Sequence, residues 1–400
     1  MGPVIDLLRF MRLPRQARRA IARDRRGLPP NDPGLSRAVA EAAAWLCRAQ
    51  DNSVYRDGGV ARHYSLITGW GASYPETTGY IVPTMIRLAD HLQEPGYRDR
   101  ARRMLDWLAG IQMEGGGFQG GLIDSTPCVP VTFNTGQILI GLAAGVVAFD
   151  AYHEAMHGAA RFLKNSLDPD GCWRRHPTPF AKPGEKAYET HVSWGLFEAD
   201  RIAPGEGYGE AGLRQVDWAL TKQTSNGWVA DCCLNTPEAP LTHTLGYYLK
   251  GMVEAHRFSG ENKYLRAALL TAEGLLAARR PDGALPGRLR ADWSAMVPWT
   301  CLTGNVQIAD SWIYLYQVTG DERFWRAARA INAVVRRTLI LDGEEGVRGG
   351  VAGSFPIGGK YGRLEYLNWA ALFMINAQLA EAAGLRATSG EALSHRSARK

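Results

Sequence analysis

The sequence is poor in cysteine, and its cysteines follow no spacing that would indicate a metal site or a disulfide framework. They stand at irregular positions: Cys47, Cys128, Cys172, Cys232, Cys233 and Cys301. We therefore expect reduced thiols, no bound metal and no other cofactor. The N-terminal residues lack the apolar core and small-residue cleavage site of a secretory signal, and we find no run of about eighteen apolar residues that would span a bilayer. These absences predict a cytoplasmic protein.

Neither sign of charge is in large excess, since the sequence has 46 basic residues and 40 acidic ones. Much of the small basic excess lies near the N-terminus, in Arg12, Arg15, Arg18, Arg19, Arg23, Arg25 and Arg26. No recognised nucleic-acid module accompanies these arginines, so we expect no nucleic-acid partner. Residues 4–22 allow two interpretations: a basic amphipathic helix on an anionic membrane surface, interrupted at Pro14, or an extension that packs on the main domain.

What the sequence does contain is an internal repeat that recurs about six times, with a period of roughly fifty to sixty residues. Each unit begins with an amphipathic helix that ends in a glycine-containing turn. The last turns of these first helices are residues 44–50, 106–112, 161–167, 217–223, 273–280 and 333–340. This arrangement is typical of stacked helix pairs.

The second helix of each unit is apolar on nearly every side, so it has to be buried all round. These second helices begin near Glu76, Phe133, Tyr188, Leu241, Asn305 and Tyr366. We expect them to form an inner ring inside the charged first helices, which gives an all-α (α/α)6 toroid, or six-hairpin barrel. The predicted boundaries are a basic extension at 1–34, the toroid at 35–385 and a disordered tail at 386–400.

Two segments resemble known families. Residues 111–121, IQMEGGGFQGG, place a glutamine before a glycine-rich turn and an aromatic residue, which resembles the repeat of the squalene-cyclase and protein-prenyltransferase β-subunit superfamily. Residues 57–84 resemble the prenyltransferase-like proteins encoded beside bacterial exopolysaccharide biosynthesis genes. The resemblance covers nearly the whole chain and implies the toroid. That fold also houses glycosidases, polysaccharide lyases and sugar epimerases, so it does not decide the function.

The sequence contains neither of the acidic motifs with which terpenoid enzymes carry out catalysis. Neither the DxDD motif of class II terpene cyclases nor the DDxxD-type magnesium motif of class I synthases is present. Protein prenyltransferases hold zinc with aspartate, cysteine and histidine. Asp231, Cys233 and His243 supply those residue types without the surrounding motif, so we expect no zinc site.

Polar residues stand at the N-terminal starts of the apolar inner helices, and we expect these helix starts to converge on one central pocket. A wall of amides, hydroxyls and aromatic rings suits sugars, whose hydroxyls need directional hydrogen bonds and whose CH faces stack on rings. The expected substrate-binding residues are Asn134, Gln137, Trp70, Tyr74, Trp194, Asn305, Asp310, Tyr361, Arg363, Asn368 and Trp369.

Hydrolysis of a glycosidic bond needs one protonated carboxyl group and a second carboxylate as base or nucleophile. Glu76 and Glu189 are the leading pair, and Asp124 is the next candidate base. Each of these acids also has a structural explanation, because acidic residues at helix starts stabilise the helix dipole. His191 and His243 occupy equivalent places in consecutive repeats, which favours a catalytic role for both.

The sequence thus favours a carbohydrate-active enzyme of exopolysaccharide metabolism that hydrolyses an oligosaccharide or polysaccharide, acidic ones included. Three alternatives stay open. A uronate lyase or C5-epimerase would draw on Asn134, His191, His243, Tyr361 and Arg363. A non-catalytic glycan-binding scaffold fits the basic N-terminus, and an isoprenoid-binding or cyclising protein fits the repeat. Peripheral membrane contact through the N-terminal helix is an expectation, and the oligomeric state stays open.

Overall fold

The structure, a computed structural model, describes residues 10–388. Leu7 and Leu8 of the predicted surface helix, and residues 389–400 of the predicted tail, lie outside the described residues. The division into an extension, a toroid and a tail stays a prediction, although the last described helix reaches Thr388 and so passes the boundary predicted at residue 385.

Thirteen α-helices account for most of the described chain. In chain order they are α1 (Arg15–Asp24), α2 (Leu35–Asp51), α3 (Pro75–Leu92), α4 (Gly96–Gly110), α5 (Thr132–Phe149), α6 (His153–Ser166), α7 (Thr190–Ile202), α8 (Tyr208–Leu220), α9 (Thr242–Ser259), α10 (Asn262–Ala277), α11 (Leu302–Thr319), α12 (Glu322–Thr338) and α13 (Asn368–Thr388). The short strands are β1 (His63–Ser65), β2 (Gly69–Trp70), β3 (Thr300–Cys301), β4 (Ser354–Phe355) and β5 (Glu365–Leu367). A 3₁₀ turn, Ala187–Glu189, precedes α7.

The helices form two concentric rings. Each odd-numbered helix from α3 to α13 contacts the next odd-numbered one, and α13 returns to contact α3, which closes the inner ring. Each of these helices also packs on the even-numbered helix that follows it, and α13 packs on α2. The predicted (α/α)6 toroid with inner and outer rings is confirmed.

The inner helix α5 corrects one expectation from the sequence. Its 18 residues have a mean hydropathy of 1.5, so it is long and apolar enough to cross a membrane. From the sequence we had expected no apolar run of that length. However, 78% of this stretch is buried inside the protein. A helix that is apolar all round and enclosed by neighbours is what the inner ring requires.

Glycines with positive φ bring each turn against the next outer helix. One stands in the turn after each outer helix: Gly58, Gly116, Gly171, Gly227, Gly283 and Gly349. A Cβ atom added to Gly227 would lie 2.3 Å from the carbonyl oxygen of Leu270 in α10. A Cβ atom on Gly349 would lie 2.1 Å from the carbonyl oxygen of Glu41 in α2, so the last turn packs on the first outer helix.

Further contacts join the two ends of the toroid. Strand β1 pairs antiparallel with both β2 and β5, and β5 directly precedes α13. The N-terminal segment packs on the toroid as well, because Asp24 accepts a hydrogen bond from the backbone N–H of Ile357 at 2.7 Å. Asp32 forms an ion pair with Arg336 of α12 at 2.6 Å. Of the two interpretations of the N-terminal segment, residues 15–34 follow the one in which the segment packs on the main domain.

The glycine contacts predict a graded loss of stability. Gly227→Ala combines a strained positive φ, which costs about 1–2 kcal/mol, with a backbone collision, which costs about 1–3 kcal/mol more. Gly260 also has a positive φ, of 73°, but an added Cβ there meets nothing within 4 Å. We expect Gly260→Ala to lower the free energy of unfolding by about 1 kcal/mol and Gly227→Ala by about 3 kcal/mol. Urea unfolding followed by circular dichroism measures both, and equal losses would contradict the proposed packing role.

Candidate active site

A cavity of about 480 Å³ opens where the inner helices begin. Several expected site residues line it together: Tyr74, Glu76, Asn134, His243, Tyr361 and Trp369. Its remaining walls include Arg62, His63, Phe133, Phe180, Tyr188 and Tyr247. The predicted convergence of helix openings on a shared cavity therefore holds for four of the inner helices, α3, α5, α9 and α13.

Glu76 is the carboxyl group that lines this cavity. It lies in the first turn of α3, directly after Pro75, and is almost fully buried. Burial raises its pKa to about 7, although the hydrogen bond from Tyr74 and the nearby Arg62 guanidinium act in the opposite direction. The hydroxyl of Tyr74 donates that bond to Glu76 Oε2 at 2.7 Å. A carboxyl group with such a pKa is a suitable general acid near neutral pH.

His243 lies on the opposite wall, in the first turn of α9. Helices α3 and α9 are three places apart in a closed ring of six, so they face each other. The Nδ1 atom of His243 is 2.7 Å from Oε1 of Gln307. Because that amide oxygen accepts, Nδ1 carries the proton and Nε2 is left with a lone pair. Burial lowers the pKa of His243 to about 4, so the imidazole is a neutral base at most pH values.

Aromatic and basic side chains complete the rim of the cavity. The indole Nε1 of Trp369 donates to the hydroxyl of Tyr361 at 2.7 Å. The Arg62 guanidinium lies 5.1 Å from the centre of the Trp369 ring and binds Glu365 Oε2 at 2.9 Å. These contacts fix the positions of a tryptophan and a tyrosine next to Glu76 and His243, where a saccharide ring needs a flat apolar surface and hydroxyl partners.

Three aromatic residues close the cavity at its inner end. Tyr80, Tyr247 and Phe373 follow Glu76, His243 and Trp369 by four residues each, so they lie one turn deeper on the same helix faces. Tyr247 and Phe373 have ring centres 6.1 Å apart, and Tyr80 and Phe373 5.4 Å. We call these three residues the aromatic layer. These residues were not among those predicted from the sequence, although their four-residue spacing from the predicted site residues places them on the same helix faces.

Below the aromatic layer a second cavity, of about 450 Å³, contains three of the expected substrate-binding or catalytic residues. His191, Trp194 and Asp310 line this cavity and not the first one. His191 and His243 hold equivalent positions in α7 and α9, but His191 bonds back to Gln137 of α5 whereas His243 bonds forward to Gln307 of α11. The two imidazoles therefore lean apart, which the sequence did not indicate.

Glu189 corrects the predicted pair of carboxylates. It lies in the 3₁₀ turn before α7, does not line the first cavity, and its Oε2 atom is buried without a hydrogen-bond partner. Burial raises its pKa to about 8, with Lys186 as the opposing influence. A carboxyl group that stays protonated at neutral pH is not the ionised partner that a paired-carboxylate mechanism needs.

Asn305, Asn368 and Gln137 are polar for structural reasons. Asn305 accepts the backbone N–H of Leu285 at 2.8 Å and donates to the carbonyl of Cys301 at 2.8 Å. Asn368 donates to the carbonyl of Ala61 at 3.0 Å. Gln137 is fully buried against His191. Contrary to the expectation from the sequence, all three therefore fasten the inner helices to their surroundings instead of facing the first cavity.

Three further expected residues lie away from the first cavity. Asp124 is exposed and accepts a hydrogen bond from the hydroxyl of Tyr55 at 2.9 Å, so it is not a base inside the cavity. Arg363 is exposed in the loop before β5. Trp70 packs on Trp45, with ring centres 5.3 Å apart, and on Tyr64. These packing partners account for the position of the Trp70 side chain, so no ligand contact is needed to explain it.

The residue types of a zinc site do not assemble around His243. Asp231 forms an ion pair with Lys222 at 2.9 Å, and the Nδ1 atom of His243 is held by Gln307. Across residues 10–388, no three histidine, cysteine, aspartate or glutamate side chains gather as a group that could hold a metal ion.

Comparison with known proteins identifies similar structures but no similar sequence. No family model matches the chain, and no curated protein matches it. An unsaturated glucuronyl hydrolase specific for heparin superposes with a TM-score of 0.72 at 14% identity, covering 89% of this chain and 99% of that one. The glycosaminoglycan-degrading unsaturated glucuronyl hydrolase of a Bacillus species gives 0.67 at 14% identity, over 86% and 96%. Cellobiose 2-epimerase of Bacillus thermoamylovorans gives 0.65 at 12% identity, over 85% and 96%. At these identities the likeness establishes the toroid fold, which this chain shares with carbohydrate-active enzymes.

Proposed function

We propose that this chain is a carbohydrate-active enzyme that works by general acid–base catalysis in the first cavity. The observation that carries the proposal is that Glu76 and His243 stand in the first turns of opposite inner helices and line one cavity. Glu76 supplies a proton, and His243 accepts one. A saccharide held between them meets an acid on one side and a base on the other.

The cavity suits a saccharide in size and lining. Its volume of about 480 Å³ lies within the range of about 300–1,000 Å³ that is usual for small-molecule sites. Tyrosine hydroxyls at Tyr74, Tyr80, Tyr188, Tyr247 and Tyr361 supply hydrogen-bond partners, while their rings supply apolar faces. An isoprenoid would bring no polar group to Glu76, Arg62 and His243, which keep hydrogen-bonding capacity beyond their contacts with the protein, and this disfavours that alternative.

Hydrolysis of a glycosidic bond is the reaction we place first. Glu76 donates its proton to the glycosidic oxygen as the bond from that oxygen to the anomeric carbon breaks. His243 takes a proton from the water molecule that adds to the same carbon. The scheme keeps the acid predicted from the sequence but replaces Glu189 as the base, because Glu189 stays protonated outside the cavity.

Epimerisation is the second candidate, and one observation favours it: a neutral imidazole, not a second carboxylate, faces Glu76 across the cavity. In this reaction His243 removes a proton from a carbon next to a carbonyl or carboxylate group, and Glu76 returns a proton to the opposite face. The resemblance of residues 57–84 to proteins of exopolysaccharide loci supports a substrate from exopolysaccharide metabolism, since this segment contributes Arg62, Tyr74 and Glu76. A cytoplasmic location and peripheral membrane contact through the N-terminal residues remain parts of the proposal.

Turnover in heavy water separates the two reactions. We expect incubation with a panel of neutral and uronate-containing oligosaccharides in D₂O to give new reducing ends, visible as anomeric proton signals in NMR spectra. An epimerase would instead exchange a carbon-bound proton for deuterium without shortening the chain. Saccharide binding with neither product would contradict the enzymatic proposal and favour a binding scaffold.

Exchanging Glu76 and Glu189 in turn for glutamine tests which of the two is the catalytic acid. Glu76→Gln removes the proton donor, so we expect kcat to fall by about 10²–10⁴-fold. Glu189→Gln makes the same chemical change outside the cavity, and we expect it to keep kcat within a few-fold of the wild type. Steady-state kinetics measures both. A comparable loss in Glu189→Gln would restore the paired-carboxylate mechanism. At pH 8, Glu76→Gln should be at least as stable as the wild type, since burial disfavours the ionised carboxylate.

The two pKa values also predict the pH dependence of kcat/KM. Activity should rise as His243 loses its proton near pH 4 and fall as Glu76 loses its proton near pH 7, with an optimum between these values. Initial rates from pH 3 to 9 measure this bell shape. A profile that instead rises through pH 7 would mean that ionised Glu76 acts as the base, which reverses the proposed roles.

A further inference from the structure

The second cavity lies inside the inner ring, below the aromatic layer, and is separate from the proposed active site. The aromatic layer stands between the two, and Tyr80 borders both. The walls of the second cavity combine apolar side chains with charged and amide groups. They include Arg87, His191, Trp194, Lys250, Gln307 and Asp310. Nothing in the reaction proposed for the first cavity uses these residues apart from Gln307, which holds His243.

Two buried polar atoms on its wall have no hydrogen-bond partner. The Nε2 atoms of His191 and Gln307 are both unpartnered, and these residues are 0% and 3% exposed. His191 Nδ1 lies 2.6 Å from Oε1 of Gln137, so Nδ1 carries the proton and Nε2 is a free acceptor. The amide nitrogen of Gln307 is a free donor, because its oxygen is bound to His243. Buried polar groups are rarely left unsatisfied, so a free donor and a free acceptor on residues that line the same cavity favour a polar occupant.

The acids on the wall of the second cavity form ion pairs with cations other than Arg87. Lys250 binds Asp310 and Glu254, each at 2.9 Å. Glu254 also binds Arg257 at 3.2 Å, and Glu198 binds Arg201.

Arg87 is exposed towards the cavity and bonds to the amide oxygen of Asn376 at 2.6 Å. Within residues 10–388, no carboxylate pairs with it at 4.0 Å or less, the acids of this cavity being held by Lys250, Arg257 and Arg201. The carboxylates of Asp310 and Glu254 attract its charge from beyond ion-pair distance, but no acid occupies its planar N–H groups, which favours an anionic occupant.

We propose that the second cavity binds a small polyhydroxylated anion, such as a sugar acid or a phosphorylated sugar. Arg87 binds the carboxylate or phosphate through its planar pair of N–H groups. A hydroxyl group both donates and accepts, so the hydroxyl groups of such a ligand suit both the acceptor at His191 Nε2 and the donor at Gln307 Nε2. Trp194, held by a hydrogen bond to Glu198 at 2.9 Å, supplies an indole on the same wall. The proposal is independent of the reaction in the first cavity.

Each cavity holds one tryptophan, so fluorine NMR of the 5-fluorotryptophan-labelled protein observes them separately. Trp194→Phe and Trp369→Phe assign the two signals. We expect D-glucuronate, D-glucose 6-phosphate or both to shift the Trp194 signal saturably, and D-glucose, which lacks the charge, to leave it in place. A response to only one anion tells a carboxylate site from a phosphate site. Arg87→Met should weaken this binding by about tenfold to a hundredfold.

Arg37→Met is the matched control, because Arg37 is an exposed arginine of the outer helix α2. It should bind as the wild type does. Should Arg87→Met fail to fold by circular dichroism, Arg87→Lys decides: it keeps the charge but loses the paired N–H groups, so we expect severalfold weaker binding with the preference over glucose retained. A wild-type Trp194 signal that neither anion moves overturns the proposal. So does a shift confined to Trp369, or one that glucose produces equally.

Discussion

The contact on which the rest of the structure depends is the approach of each inter-helix turn to the backbone of the next outer helix. A positive-φ glycine stands in this turn in every repeat. At Gly116, Gly171, Gly227 and Gly349 an added Cβ atom would lie 2.1–2.4 Å from a backbone carbonyl oxygen of the neighbouring outer helix. The contact fixes how far each unit is rotated relative to the next. When the same step is taken six times, the turn at Gly349 arrives on Glu41 of the first outer helix. The closed ring, and with it the central space, follows from a local requirement repeated along the chain.

Side chains in the first turns of the inner helices convert this ring into a site with defined geometry. Thr78 accepts the backbone N–H of Val60 at 3.0 Å, Thr135 accepts that of Phe118 at 2.9 Å, and Asn305 accepts that of Leu285 at 2.8 Å. Each bond ties an inner helix to the turn that precedes it. Because Glu76 lies two residues before Thr78, and Asn134 one residue before Thr135, the bonds that hold the fold also hold the cavity wall. Positioning of this kind is what acid–base catalysis needs.

The fold could be predicted well from the sequence, because the features that determine the fold repeat along the chain. Helical periodicity, glycine turns and all-round apolar second helices were each present six times. The site was predicted less well, for a physical reason. A polar residue in the first turn of an inner helix either faces the cavity, as Glu76 does, or binds the preceding turn, as Asn305 and Asn368 do. One residue of register along the helix separates these outcomes by about 100° of rotation, and the polar pattern alone does not fix that register.

The histidines illustrate a second limit and explain how the two cavities are related. His191 and His243 have the same place in consecutive repeats, yet each bonds to a glutamine on the helix away from the other. Tyr247 fills the space between them, with its ring centre 4.5 Å from that of His191 and 4.4 Å from that of His243.

Gln307 therefore takes part in both cavities: its oxygen sets the proton position on His243, and its nitrogen is an unpartnered donor on a residue that lines the second cavity. An occupant that binds this nitrogen would restrain the same amide that orients the proposed base, His243. The proton position on the proposed base and the unpartnered donor of the second cavity thus depend on one side chain.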